Sequence, residues 1–340
     1  MKHYNIPIFI SHFGCPNSCV FCNQKKINGR ETDVSLEDLK NTIDSHLETL
    51  PKNSIKQVAF FGGTFTGISM ALQKEYLETV KQYIDRGDIQ SIRLSTRPDC
   101  ISMEILEQLK SYGVKTIELG IQSLDPVVLA ATDRRYDEGV VETACSLIKE
   151  YGFELGVQIM IGLPSSNLEK DYDTAKKCLD LKPNLARIYP TLVINGTELE
   201  KMYLRGEYKA LDIEEAIERT KKIYSLLELN GVNVVRVGLQ PSQDLTSEGV
   251  ILAGPFHPAF RDLVENRIYY NFLKDIYKYE EKLDIEANEK IISKVVGQKA
   301  KNKQEFYPNF KIRINNCLGV DEIKINGRNY RRNEILSREL

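Results

Sequence analysis

An α/β fold, a partial parallel barrel of the (β/α)6 type with a small C-terminal α+β extension, is predicted by three features of the sequence. Short apolar runs alternate six times with amphipathic helical stretches, and strands that each hand over to a crossover helix must run parallel, because the helix returns the chain to the same end of the sheet. The first strand-to-helix junction carries no GxGxxG turn, which sets a barrel ahead of a doubly wound dinucleotide fold. The 340 residues, 42% hydrophobic and 28% charged, suffice for one large core with an appendage.

In order, the strand-like runs are IPIFISHF (6–13), QVAFFGG (57–63), SIRLST (91–96), TIELGIQS (116–123), ELGVQIMIGLP (154–164) and LARIYPTLVI (185–194). Between them, residues 35–50 open with Ser35 and Asp38 in capping-box spacing. Helical patterns at 71–86, 102–112 and 137–151 are followed by Gly87, Gly113 and Gly152, a residue suited to ending a helix. Two more helices, 167–181 and 212–230, follow, the second stopping before Gly231. VNVVRVGL (232–239) is one further strand, 240–249 a loop and 260–276 a helix. From about 285 the pattern is that of a small unit with a helix at 287–303 and strands at 309–316 and 320–326. The expected divisions are a barrel (1–240), a barrel-associated loop and helix (241–285) and a small basic domain (286–340).

The formal net charge is -2, but residues 290–332 carry +8 and the rest of the chain -10. A polyanion near the C-terminal part and a solvated surface are both compatible with that asymmetry. Phe306, Tyr307, Phe310 and Tyr330 interleave with these basic residues and offer either base stacking or core packing. No run approaches the ~18 apolar residues of a membrane span, and the start, MKHYNIPIFI, lacks a secretory signal. The expectation is therefore a cytoplasmic protein without membrane association, its seven cysteines reduced.

Three of those cysteines fall within HFGCPNSCVFCNQ (12–24), as C-x3-C-x2-C on the loop after the first strand. Fully extended, Cys15 to Cys22 would span about 24 Å, so the thiols share one centre only if the loop curls, which Pro16 and Asn17 suit. A structural zinc ion takes four ligands, usually as two pairs; here there is no second pair, and His12 is the one candidate for a fourth ligand. A [4Fe–4S] cluster ordinarily takes four thiolates. Three leave one iron open to a small molecule.

At this point the sequence resembles the radical S-adenosylmethionine (SAM) superfamily, whose signature C-x3-C-x-aromatic-C is met by Cys15, Cys19, Phe21 and Cys22. The resemblance covers roughly residues 6–275. It implies a [4Fe–4S] cluster on the three cysteines and SAM chelated at the open iron. A low-potential donor such as flavodoxin or ferredoxin would reduce the cluster, which then splits SAM to a 5′-deoxyadenosyl radical. FFGGTF (60–65) is similar to the superfamily's glycine-rich motif, so Gly62, Gly63 and Thr64 are expected against the SAM amino group, where a side chain would hold the backbone away. STRPD (95–99), IQS (121–123) and MIGLP (160–164) match strand-end motifs in the expected order, at the end of the barrel where active sites gather. By that resemblance Arg97 and Gln122 reach the SAM carboxylate or ribose, unless they serve only as structural hydrogen bonds, and Gly162 and Leu163 line the adenine.

LSTRPDCI (94–101), TIELGIQSLDPVVLAATDRRYD (116–137) and RIYPTLVINGTELEKMYLRGEYK (187–209) resemble the radical SAM domain of the elongator catalytic subunits, which modify wobble uridine in tRNA. Two departures stand beside it: the cysteine spacing is the short form, and Leu340 leaves no room for a complete acetyltransferase fold after residue 285. tRNA is accordingly the expected partner, and the basic end segment is compatible with phosphate contacts. The short spacing also occurs in oxygen-independent coproporphyrinogen oxidase-like enzymes, which gives a small-molecule alternative; a non-catalytic iron–sulfur protein that binds RNA or a partner is the third. GPFHPAFRDL (254–263) offers Gly254, His257 and Arg261 as an anion-binding helix start or as a plain capping loop. Tyr189 faces substrate or core, and Cys145 and Cys178 lie on apolar helix faces as buried thiols.

Overall fold

The computed structural model describes residues 2–10, 15, 19–23, 34–241 and 243–340; His12, Pro16 and Asn17 lie outside the described residues. Strands β1 (His3–Ile10), β2 (Ile55–Gly62), β3 (Ser91–Thr96), β4 (Val114–Gln122), β5 (Glu154–Ile161) and β6 (Leu185–Pro190) are followed by the two-residue β7 (Val193–Ile194) and by β8 (Asn233–Val237). Seven of them form one parallel sheet in the order β1-β2-β3-β4-β5-β6-β8. Spatial order follows chain order with no reversal, so there is no switch point of the doubly wound kind, and the sheet is an open, partial barrel.

Why the barrel has a hollow centre is written in the strands' period of two. On β4, Ile117, Leu119 and Ile121 are fully buried in the core shared with the outer helices, whereas Gly120 and Gln122 line the interior cavity. β3 and β5 repeat this: Ile92, Leu94, Val157 and Ile159 join the core, while Arg93, Ser95, Gln158 and Met160 line the cavity. Polar residues thus alternate inward. The outer helices begin at side-chain caps, among them Ser35, Ser69, Ser102, Asp137, Asn167 and Asp212, each accepting from a backbone N–H of its first turn, worth about 1 kcal/mol apiece. Cys145 and Cys178 are buried on their helices; burial pushes the Cys145 thiol up to about 12 and raises that of Cys178 as well.

Beyond β9 (Ile251–Ala253) and the helix Phe260–Glu280, a second sheet contains β10 (Leu283–Ala287), β11 (Phe310–Ile314), β12 (Glu322–Ile325) and β13 (Arg328–Arg331) in the order β11-β10-β12-β13. The helix expected over 287–303 is broken: it ends at Val296, and Gly297 takes φ 81° against the Asn302 side chain before a short turn leads into Lys301–Glu305. Phe306, Phe310 and Tyr330 are core residues of this unit, and Tyr307 is exposed. No helix among the described residues is long and apolar enough to cross a membrane.

The two sheets are linked by ions as well as by apolar packing. Glu265, 1% exposed on the helix Phe260–Glu280, pairs with Arg261 at 3.0 Å, with Lys294, and with Arg332 at 3.9 Å. Burial acts to raise its pKa, but Lys294, Arg332 and Arg261 outweigh it and hold the carboxyl below the ordinary glutamate value. The stability it supplies is therefore present above the unfolded-state pKa of about 4.3 and is lost as pH falls through the folded value. Glu265→Ala is expected to cost about 3–5 kcal/mol, since three cations lose their counter-charge; a urea midpoint equal to that of the wild type would contradict this.

Candidate active site

A cavity of about 710 Å³ opens inside the barrel, and Cys15, Cys19 and Cys22 all line it. The cysteine loop is pinned from two sides. Val20 donates its N–H to the Thr132 carbonyl at 3.3 Å and accepts from Leu199 N–H at 2.7 Å, while the Asn23 amide donates to the Asn195 carbonyl at 3.0 Å. Cys22 N–H closes a turn on the Cys19 carbonyl at 3.0 Å. Phe21 is the plug between these anchors, packed against the Val128, Met160 and Leu163 cluster on one side and the Leu199 and Tyr208 cluster on the other.

Two of the thiols meet different neighbours. Cys15 Sγ lies 3.0 Å from Thr64 Oγ1. Cys19 Sγ receives two guanidiniums: Arg134 Nη1 at 3.1 Å and Arg97 Nη1 at 3.7 Å. Arg97 is also clamped by Asp99 through two 2.8 Å bonds; burial pulls its pKa down, but Asp99 more than offsets this. Arg134, 5% exposed, has no carboxylate partner among the described residues; its other contacts are the Tyr136 hydroxyl and the Gly120 carbonyl. A buried cation costs several kcal/mol unless countered, so an anionic group belongs beside Cys19.

No three His, Cys, Asp or Glu side chains among the described residues are arranged to hold a single metal ion. Zinc would draw thiolate sulfurs to about 4 Å of one another, whereas a cluster takes one thiolate on each of three irons. Three thiols around one cavity beside an uncompensated guanidinium fit an anionic iron–sulfur cluster.

Phe21, Gly62, Gly63, Thr64, Arg97 and Gln122 line the same cavity as the cysteines, as does Tyr189. Gln122 has φ 68° and accepts from the Gln158 amide at 3.2 Å. Gly162 and Leu163 are not in the wall: Gly162 is packed on Leu211 and its carbonyl accepts from Tyr208, and Leu163 is buried behind Met160 and Phe21. Arg134 is the residue that sequence reasoning missed. It stands in DRRYD beside an exposed Arg135 that pairs with Asp133, and nothing in the string separates the two. At the candidate anion-binding helix start, His257 Nδ1 accepts from Ala259 N–H at 3.1 Å, and Arg261 is engaged by Glu265 and the Val234 carbonyl, so both side chains already have protein partners.

Two family models match the chain: Radical SAM superfamily over residues 9–178 and Radical_SAM C-terminal domain over residues 183–270. An uncharacterized protein of Methanocaldococcus jannaschii is 29% identical over 228 residues, 64% of this chain and 69% of that one. The tRNA uridine(34) acetyltransferase of the same organism is 28% identical over 255 residues, 63% of this chain and 47% of that one. The chain thus spans about half the length of the curated acetyltransferase it matches. The structure of the archaeal Methanocaldococcus infernus Elp3 with an N-terminal deletion shares the fold with a TM-score of 0.64 at 21% identity, over 84% of this chain and 70% of that one.

Proposed function

Because this chain belongs to the radical SAM superfamily, whose enzymes use a [4Fe–4S] cluster and SAM, we propose that Cys15, Cys19 and Cys22 hold the cluster and that tRNA is the substrate. With the cluster and SAM bound, the site would offer radical chemistry started by one-electron reduction of SAM. The protein's own residues do the positioning. Arg134 and Arg97 supply positive charge at Cys19, and Thr64 orients Cys15. The backbone at Gly62 and Gly63 leaves room for the amino-acid moiety of SAM, and Gln122, held by Gln158, faces its ribose or carboxylate. Gly162 and Leu163 act one layer back, as packing beneath Met160. A reductant is required, and a flavodoxin or ferredoxin fills that role; the cytoplasm, which keeps thiols reduced, is the compartment this reading calls for.

The observation that carries the reading is the convergence on one cavity of three thiols and Arg134, a buried cation with no carboxylate beside it among the described residues. Anaerobic reconstitution, followed by incubation with SAM, reductant and total tRNA, tests it: 5′-deoxyadenosine together with a new modified nucleoside is expected by mass spectrometry. 5′-Deoxyadenosine without any change in tRNA would move the substrate to a small molecule.

For tRNA binding, the ion pairs narrow the basic segment. Lys294 and Arg332 serve Glu265, and Arg313 and Lys324 serve Asp284 and Glu286. Lys299, Lys301, Lys303 and Lys311 are exposed and take part in no ion pair among the described residues. Changing these four to glutamine is expected to weaken tRNA binding and to flatten its log–log salt dependence by roughly 0.7–0.9 for each phosphate no longer neutralised. An unchanged affinity and slope would remove this segment from the interface.

A further inference from the structure

The cavity wall contains five arginines, Arg93, Arg97, Arg134, Arg187 and Arg236, and no Asp, Glu, Lys or His among the described residues. Two of them, Arg97 and Arg134, belong to the cysteine end. The other three do not. Arg93 and Arg187 each sit three residues before the end of their strand, β3 ending at Thr96 and β6 at Pro190, which places them about 10 Å deeper at ~3.3 Å per residue. Arg236 on β8 is the register partner of Arg187.

Arg187 is paired with Glu118 through both Nε and Nη2, but as a set the three are undercompensated. Glu118, 2% exposed, serves two of them at once: Arg93 Nε at 3.0 Å and Arg187 Nη2 at 3.0 Å. Gly156 makes room for that carboxylate, since a Cβ there would stand 2.8 Å from Glu118 Cγ. One carboxylate between two guanidiniums leaves a charge over, and Arg236 adds another, its bond going to the neutral Gln240 at 2.7 Å. Arg93, 8% exposed, makes no hydrogen bond among the described residues; its Nε is close to Glu118 but out of line for one. Arg187 is held in place, its guanidinium 4.6 Å over the Phe61 ring and its Nη1 donating to the Tyr189 hydroxyl at 3.2 Å. Burial, with Arg187 adding to it, outweighs the pull of Glu118 and Glu154 and holds Arg93 below the usual guanidinium pKa.

We infer that the deep half of the barrel is an oxyanion subsite, separate from the cysteine end, in which Arg93, Arg187 and Arg236 receive a carboxylate or phosphate of the substrate. The arginine fork matches both groups. Of the cavity's about 710 Å³, the cysteine end is assigned to the cluster and SAM, and the remainder takes only a small group: a small acid, a phosphate ester or one everted nucleotide, and not a duplex. This deepens the radical SAM reading and rests on it only in calling the occupant a substrate.

The test uses anaerobically reconstituted protein saturated with SAM and without reductant, titrated calorimetrically with inorganic phosphate and, separately, succinate at constant ionic strength. At least one of the two is expected to bind, and binding of only one tells phosphate from carboxylate. Arg236→Gln, at a half-buried position, and Arg93→Gln are each expected to weaken binding roughly tenfold to a hundredfold, while Arg328→Gln, on the exposed hairpin, leaves it unchanged. If Arg93→Gln fails to fold, Arg236→Gln decides alone. Neither anion binding the wild type, or undiminished affinity in Arg236→Gln, would overturn the inference. 5′-Deoxyadenosine formation by the same preparation after a low-potential reductant is added reports separately on the radical SAM reading: cleavage without anion binding sinks the subsite alone, and anion binding without cleavage sinks the radical chemistry alone.

Discussion

Alanine at Cys15, Cys19 or Cys22 is expected to abolish cluster assembly outright, with no iron or sulfide retained after anaerobic reconstitution and no broad thiolate-to-iron absorption. The size of the effect follows from ligand count: the site already has one thiolate fewer than the usual four, so losing another leaves two irons without protein ligands. The neighbouring cysteines are poor substitutes. Cys100 is half-buried, and desolvation together with Asp99 pushes its thiol up to about 11; Cys145 and Cys178 are buried in the helix layer, away from the cavity wall. Alanine at any of these three should leave iron content at the wild-type level. A full cluster in Cys15→Ala, Cys19→Ala or Cys22→Ala would remove that residue from the ligand set.

Gly63→Val should leave the cluster in place and reduce 5′-deoxyadenosine formation by at least about a hundredfold, the scale of loss when a reacting group is displaced by an ångström or so. Gly63 is the sharper choice of the two glycines. Gly62 has φ 98°, so a side chain there strains the backbone whatever its effect on the ligand. Gly63 lines the cavity and is not among the positive-φ residues, so added carbons act by filling space. Gly63→Ala should fall between the valine variant and the wild type. SAM cleavage by Gly63→Val at the wild-type rate would show that this loop does not face the cofactor.

The barrel was legible because short apolar runs alternate with helical patterns closed by glycines such as Gly87, Gly113 and Gly152, both of which are local signals. The three cysteines were legible as a group because they fall within eight positions of the chain. What was missed depends on contacts between distant segments. Arg134 reaches Cys19 across 115 positions of the chain, and its identical neighbour Arg135 turns outward to Asp133. The set of Arg93, Glu118 and Arg187 spans three non-adjacent stretches joined only by sheet register. The segment 187–209, read as a branch marker, also has a mechanical role: Asn195 and Leu199 anchor the cysteine loop. In the C-terminal unit, β13 went unread although Asn326-Gly327, with φ 50° and 87°, is the strongest short-range hairpin signal. The basic run also misled in part, since Arg332 points into the Glu265 ion cluster and not to solvent.

The most direct test is quantitation of 5′-deoxyadenosine from anaerobically reconstituted wild-type protein given SAM and a low-potential reductant, with iron and sulfide counted on the same sample. A full cluster, 5′-deoxyadenosine above the protein-free background, and loss of that product in Gly63→Val with the cluster retained is the predicted result. A wild-type sample with a full complement of iron and sulfide that yields no 5′-deoxyadenosine would contradict it.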